Sequence, residues 1–262
     1  MTDYSLPIIA LEKPAVTLEK TVYYGTIYIS FLSVIYLISV HFTGYSWLSV
    51  VSVNANSSEL ALSLIQCFLG ILALQLPAVI ARIAKINLPD ALCIFYYIFV
   101  LCGTVLGEMF SLYYRIPIWD SLLHFGSGIM CGMLGAILCA NFLKKNNCER
   151  LMTPTLIVIA VICFSISIGV FWEIYEFAVD SILKLNMQKY LLENGTALIG
   201  RTALIDTMKD LIMCILGTIV AAVSSCISLN QGHGWLSTII VETTAIEVKK
   251  SKHTNPSLKE SA

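Results

Sequence analysis

Eight ionisable side chains in the last four apolar segments of the chain have residue types that suit chemistry. They comprise seven acids and one histidine: Glu108, Asp120, His124, Glu173, Glu176, Asp180, Asp206 and Asp210. Carboxylates with one imidazole suit Mn²⁺, Mg²⁺, Ca²⁺ or Zn²⁺, and the same groups transfer protons. An ionisable group at membrane depth costs about 2.5–3.5 kcal/mol on insertion scales. A set of this size therefore indicates a functional site.

The spacing places these residues on single helical stripes. The stripes are Asp120 with His124, Glu173 with Glu176 and Asp180, and Asp206 with Asp210. Two of the stripes continue as small residues, which let helices approach closely in lipid. They are Gly128, Gly132 and Gly135 in one segment, and Gly217, Ala221 and Ser225 in the other. We expect these two segments to pack together, with the eight ionisable side chains, termed the polar cup, at one end of the contact.

The elements that position the polar cup are predicted to be membrane-spanning helices. Six apolar segments are long enough to cross a bilayer, which takes about 20 residues. They are residues 22–42, 59–80, 90–113, 119–143, 154–180 and 204–228. The segments lack the strand alternation of a membrane barrel. The sequence therefore predicts an all-α polytopic bundle with the lipid bilayer as its first partner.

Composition excludes several other classes of protein. The chain of 262 residues is 57% hydrophobic and 13% charged, with a mean hydropathy of +0.81. A net charge of −1 predicts no nucleic-acid partner. The nine cysteines include no C-x-x-C pair, which argues against a disulfide framework or a zinc finger.

The distribution of Lys and Arg predicts the orientation. With alternating spans, eleven basic residues fall on one side and four on the other, while Lys209 lies inside the sixth span. The positive-inside rule then places both termini in the cytoplasm and the polar cup at the outer side of the membrane. The predicted divisions are an N-terminal cytoplasmic segment 1–21, a transmembrane domain 22–228 with its core at 90–228, and a polar cytoplasmic tail 229–262.

Several carboxylates in one cup require compensation of their charge. Protons, Arg115, Lys209 or a divalent metal are the candidates. The predicted metal ligands are Asp120, His124, Glu173, Glu176, Asp206 and Asp210. The predicted catalytic residues are His124, Glu173, Glu176 and Asp210.

Purely structural roles are the alternatives to these metal-binding and catalytic roles. Asp120 and Asp206 have positions suited to helix caps, and Glu108 and Asp180 suit the headgroup layer. The whole cup suits a polar network that fixes helix packing. The aromatic residues at span ends, among them Tyr113, Trp119 and Trp172, are typical of an interface belt.

Three blocks resemble a known family. They are W-D-S-L-L-H-F-G-S-G (119–128), F-W-E-I-Y-E-F (171–177) and L-I-D-T-M-K-D-L-I-M-C-I-L-G (204–217). Together they resemble the YjdF-like group of bacterial membrane proteins and, more distantly, VanZ-like proteins, which are associated with low-level glycopeptide resistance. The resemblance covers about residues 90–230 and implies a multi-pass protein of the bacterial plasma membrane. It supplies no reaction.

Three classes of function remain open from the sequence. The first is metal- or carboxylate-assisted hydrolysis or transfer on a lipid-linked or envelope substrate, although neither H-E-x-x-H nor G-x-S-x-G is present. The second is an ion- or proton-coupled transporter. The third is an accessory membrane protein in which the polar cup only holds the helices together.

Overall fold

The computed structural model describes residues 17–44, 58–192, 195–231 and 234–236. These residues form helices and connections, with one isolated bridge between Leu191 and Ala197 and no strand in the described ranges. Six helical spans are long and apolar enough to cross a membrane. The predicted all-α polytopic bundle is confirmed. Most of the segments 1–21 and 229–262 lie outside the described residues, so their cytoplasmic placement stays a prediction.

The described part of the chain contains eight α-helices. They are α1 (Leu18–Thr43), α2 (Ser58–Ala73), α3 (Leu76–Ala84), α4 (Asp90–Leu101), α5 (Leu112–Arg115), α6 (Trp119–Lys145), α7 (Pro154–Leu183) and α8 (Arg201–Gln231). The helices α2 and α3 together make the second span. A π-helical segment, Cys102–Met109, continues α4 as the third span, and a short 3₁₀ turn, Glu149–Leu151, precedes α7.

The second span breaks between α2 and α3 because of Pro77. Proline has no N–H, so it cannot donate to the carbonyl of Ala73 four residues earlier. The hydroxyl of Tyr96 donates to that carbonyl instead, at 2.8 Å. The side chain of Gln75, in the break, accepts from the hydroxyl of Tyr23 at 2.9 Å. The backbone group released by the proline is thus satisfied within the protein, as the membrane interior requires.

The helices divide into two groups of three spans. The first group contains α1, α2–α3 and α4, and the second contains α6, α7 and α8. Contacts of α6 with α4 and with the π-helical segment join the groups. Large apolar side chains remain exposed on every span, as expected for a surface that faces lipid.

The predicted contact between the two small-residue stripes is confirmed. A methyl group on Gly128 would collide with the backbone carbonyl of Cys214, and one on Gly217 would collide with the carbonyl of Phe125. The helices α6 and α8 therefore touch backbone to backbone at Gly128 and Gly217, and Gly132 packs on Ala221. Gly135, the last glycine of the α6 stripe, packs instead on Phe164 of α7. The close approach of α6 and α8 brings the polar residues at the start of each helix together.

The end of the last span differs from the prediction. The helix α8 continues to Gln231, and residues 234–236 fold back against it. Leu236 is fully buried, its N–H donates to Ser228 Oγ at 3.0 Å, and Trp235 Nε1 donates to Ser224 Oγ at 2.9 Å. The first residues of the predicted tail thus pack on the bundle, because Trp235 and Leu236 give an otherwise polar stretch two apolar anchors.

Candidate functional site

The second group of spans, α6 to α8, brings four ionisable side chains together at one end of the bundle. Asp120 and His124 come from α6, Glu173 from α7 and Asp210 from α8. His124, Glu173 and Asp210 are exposed by only 7%, 6% and 1%. These buried polar groups lie directly above the glycine contact of α6 with α8, so helix packing fixes their relative positions.

The imidazole of His124 lies at the centre of this group. Its Nε2 is 3.6 Å from Asp120 Oδ1 and 3.9 Å from Asp210 Oδ2, while its Nδ1 is 4.0 Å from Glu173 Oε1. One donor atom each from Asp120, His124 and Asp210 lie within 4.8 Å of one another. A tetrahedral ion with bonds of about 2.1 Å needs donors about 3.4 Å apart. The three donor atoms therefore come close to the spacing of a metal site.

Some of these polar atoms have no hydrogen-bond partner among the described residues. They are both carboxyl oxygens of Glu173 and Oδ1 of Asp210. Buried polar atoms in native proteins almost always have a partner, and leaving one unpaired costs about 1–3 kcal/mol. Glu173 Oε1 lies on the Nδ1 side of the imidazole, whereas the Asp210 carboxylate, whose Oδ1 is unpaired, lies on the Nε2 side together with Asp120.

Among the described residues, the lysine or arginine that pairs with carboxylates of the polar cup is Lys189, from the connection between α7 and α8. Its ammonium donates directly to Asp120 Oδ2, and its Nζ is 3.6 Å from Asp206 Oδ1. Burial lowers the pKa of Lys189, but the carboxylates of Asp120 and Asp206 outweigh that effect and raise it. Lys189 therefore carries its charge at neutral pH, whereas Arg115 and Lys209, the cations considered from the sequence, are both exposed.

Asp180 holds the connection that carries Lys189. Its two carboxyl oxygens accept the backbone N–H groups of Met187 and Gln188 at 2.8 and 2.9 Å. The side chain of Asn186 closes the same loop by accepting from the N–H of Leu191 and donating to its carbonyl. Asp180 is thus buried and holds the loop, while its depth in the headgroup layer stays a prediction.

The third span contributes Glu108 to the polar cup, and Tyr113 follows in the turn after that span. Glu108 belongs to the π-helical segment and lies within electrostatic reach of Asp120 and Lys189. The span ends at Met109, not at residue 113, because Ser111 adopts a left-handed conformation with φ of 57°. The chain then turns back, and the Tyr113 ring packs on Gly107, where any Cβ would collide with it.

Tyr113 lies beside Lys189, with 5.8 Å between Nζ and the ring centroid. Burial and the charges of Asp120 and Glu108 raise the pKa of Tyr113 well above its usual range. The phenol therefore stays neutral and can act as a hydrogen-bond donor.

Two tryptophans predicted for an interface belt also contact polar groups of this region. Trp172 Nε1 donates to Glu176 Oε1 at 2.9 Å. Trp119 Nε1 donates to the carbonyl of Cys102, in the π-helical segment, at 3.3 Å. Tyr113, Trp119 and Trp172 thus contact groups of the site, and their place in an interface belt stays a prediction.

Neither aspartate considered as a helix cap is one. The N-cap of α6 is Ile118, without a side-chain capping bond, and α8 begins at Arg201, five residues before Asp206. Asp120 is directed to His124 and Lys189, and Asp206 to Lys189. Of the six predicted metal ligands, the structure thus brings Asp120, His124 and Asp210 together and places Glu173 behind the imidazole. Glu176 pairs with Trp172, and Asp206 pairs with Lys189.

The sequence comparison decides the family. The family described as "Predicted membrane protein (DUF2238)" matches residues 28–231, which are most of the chain and all of the polar cup. The protein is a member of the DUF2238 family. A relative of this DUF2238 protein is an uncharacterized protein of Thermotoga maritima, 31% identical over 143 residues. The aligned region covers 54% of the present chain and 65% of that relative, which is less than two thirds of its length. No solved structure matches the DUF2238 protein.

Proposed function

We propose that the polar cup binds a divalent cation and that the protein is a membrane-embedded, metal-assisted hydrolase or transferase. The observation that carries this proposal is the convergence of donor atoms from Asp120, His124 and Asp210, with Oδ1 of the buried Asp210 unpaired among the described residues. The donor set of two carboxylates and one imidazole suits Mn²⁺, Mg²⁺ or Zn²⁺.

Three protein ligands favour a catalytic over a structural metal. Structural zinc sites are closed by four protein ligands, whereas catalytic sites keep one position for water or substrate. A divalent ion held there would polarise a substrate oxygen and lower the pKa of a water molecule, to near neutrality in the case of Zn²⁺. In this proposal Asp120, His124 Nε2 and Asp210 hold the ion, and Glu173 supports the imidazole through Nδ1. Glu176 is the proposed general base.

The surface of α7 supports a lipid-linked or envelope substrate. Phe171, Trp172 and Phe177 of that helix are exposed by 66%, 48% and 63%, and the latter two flank the buried stripe that carries Glu173 and Glu176. The Trp172 indole also donates to Glu176, so one residue touches both the lipid-facing surface and the polar cup. A substrate anchored in the bilayer would approach the cup beside Trp172.

The proposed setting is the bacterial plasma membrane, with both termini cytoplasmic and the polar cup at the outer side. The excess of Lys and Arg on one side of the spans supports this orientation. The Thermotoga maritima relative supports a bacterial origin. The likeness of the three sequence blocks to YjdF-like and VanZ-like proteins belongs to the same proposal.

A carrier is the weaker alternative. Below the polar cup, Ser165 Oγ and Thr218 Oγ1 bond to each other at 2.7 Å, and Ser165 also donates to the carbonyl of Gly128 at 3.0 Å. Deeper in the second group of spans, Ala136, Ile137 and Val161 are fully buried. The hydroxyls are thus engaged and the apolar layer beneath them is packed, which disfavours a polar path through these helices.

Element analysis of the purified protein tests the proposed metal site. We expect about one divalent ion per wild-type chain and none in His124→Ala or Asp210→Asn. Matched controls are His41→Ala and Asp90→Asn, because both side chains are exposed and outside the polar cup. Both controls should retain the metal. A folded wild-type protein without metal, even after incubation with Mn²⁺ or Zn²⁺, would overturn the proposal in favour of a packing network.

A further inference from the structure

Lys189 pairs with a carboxylate, that of Asp120, which the proposed metal would also bind. Within the described residues it is the only lysine or arginine whose nitrogen lies within 4 Å of a polar-cup carboxylate. One of its two partners is Asp120, which also supplies a donor atom to the candidate metal site. The same carboxylate therefore faces Lys189 through Oδ2 and His124 through Oδ1.

Hydrogen bonds within the connection between α7 and α8 hold the Lys189 ammonium beside the carboxylates. Lys184 and Lys189 both have left-handed backbones, with φ of 57° and 48°, which non-glycine residues rarely adopt. Asp180 and Asn186 compensate by bonding the backbone of the loop at four points. The Lys189 side chain is 27% exposed, so it reaches the carboxylates from the open end of the polar cup.

We infer that Lys189 is the resident counter-ion of the site and that it sets the affinity for the divalent ion by competing for Asp120. This inference rests on the proposed metal site. An ammonium that touches one ligand of a metal lies about 4–6 Å from the ion. At that distance the repulsion between the two cations exceeds the equivalent of a tenfold change in affinity, even at an effective dielectric constant of about 20. Lys189 therefore weakens metal binding.

The test compares dissociation constants for Mn²⁺ by equilibrium dialysis of the detergent-purified full chain. We expect Lys189→Met to bind Mn²⁺ at least about tenfold more tightly than wild type, and Lys189→Arg to stay within about threefold of wild type. The matched control is Lys184→Met. Lys184 lies in the same connection with the same left-handed backbone but is exposed. An unchanged or weaker affinity in Lys189→Met would overturn the inference.

Asp180→Ala provides a second variant that leaves Lys189 itself intact. Loss of the bonds to Met187 and Gln188 should release the loop and tighten Mn²⁺ binding in the same direction as Lys189→Met. The double variant should bind no more tightly than Lys189→Met alone, and a fully additive gain would contradict the inference. If Lys189→Met does not fold, Lys189→Gln and Asp180→Ala carry the test.

The two proposals fail in different ways. Absence of Mn²⁺ from both wild type and Lys189→Met overturns the proposed metal site. Mn²⁺ in wild type with the same affinity in Lys189→Met overturns only the role of Lys189. Mn²⁺ in Lys189→Met but not in wild type would overturn the proposed metal function of the native chain, while it would still support competition by the Lys189 ammonium.

Discussion

The two ring nitrogens of His124 face different partners. Nε2 faces Asp120 and Asp210, and Nδ1 faces Glu173 at 4.0 Å. A histidine that binds a metal through one nitrogen almost always donates the other N–H to a carboxylate or carbonyl, which fixes the ring and its tautomer. The geometry therefore favours Glu173 as the support of His124, where the sequence had grouped it with the metal ligands.

Substitution of Glu173 by Gln tests this division of roles. Loss of such a supporting group typically costs 10–100-fold in metal affinity, whereas loss of a ligand abolishes binding. We expect Glu173→Gln to weaken Mn²⁺ binding by that factor while His124→Ala binds none, both measured by equilibrium dialysis. The matched control, Glu149→Gln, changes an exposed side chain outside the spans and should leave the affinity unchanged. Complete loss in Glu173→Gln would make Glu173 a direct ligand.

The sequence was informative for some residues of the site and silent about others. Asp120, His124 and Asp210 stand out because each is an ionisable residue in an apolar span. Lys189 lies in a polar connection, where charged residues are ordinary. Its position depends on Asp180 bonding backbone groups seven and eight residues later, which no helical period predicts. The feature of the sequence that distinguished Lys189 was that it is a basic residue on the predicted outer side, where few basic residues fall.

At the scale of elements, the contact of α6 with α8 sets the geometry of the site. Gly217 packs on the carbonyl of Phe125, the residue next to His124. Gly128 packs on the carbonyl of Cys214, one turn from Asp210. A displacement at this contact would therefore change the distance between the imidazole of His124 and the carboxylate of Asp210.

Gly217→Ala should reduce both stability and metal binding. The added methyl group meets a backbone carbonyl, which cannot rotate away, and overpacking of this kind costs about 1–3 kcal/mol. Thermal unfolding of the purified protein, followed with and without Mn²⁺, should show a lower Tm and a smaller stabilisation by the ion. Gly25→Ala is the control, because a Cβ there has no neighbour within 4 Å. Equal Tm values for the two variants would contradict a close α6–α8 contact.

Hydropathy predicted the six spans because length and apolar character are sufficient to define them. The stripes of small residues also predicted which two spans pack together. The π-helical segment and the left-handed turn at Ser111 were not predictable from hydropathy, and both accompany a tertiary contact, the Tyr113 ring on Gly107. That packing is a tertiary event, and through it the third span contributes to the site.

At the scale of the whole molecule, the two groups of spans contribute unequally. The second group, α6 to α8, supplies Asp120, His124, Glu173 and Asp210. The first group closes one side of the polar cup through the π-helical segment and the Tyr113 that follows it. Lys189 is one of the basic residues that fall on the sparsely charged side, and its pairing with Asp120 and Asp206 gives it a local role there. That exception to the charge rule therefore leaves the predicted orientation in place.

Cysteine labelling in intact cells tests the predicted orientation. Lys184 lies at the polar-cup end and Lys145 at the opposite end of the bundle, and both are exposed. The test uses a Cys148→Ser background, because the other eight cysteines lie within the spans, away from aqueous reagents. A membrane-impermeant maleimide should label Lys184→Cys in intact cells and Lys145→Cys only after lysis. The reverse pattern would place the cup in the cytoplasm, where an intracellular substrate would replace the proposed envelope substrate.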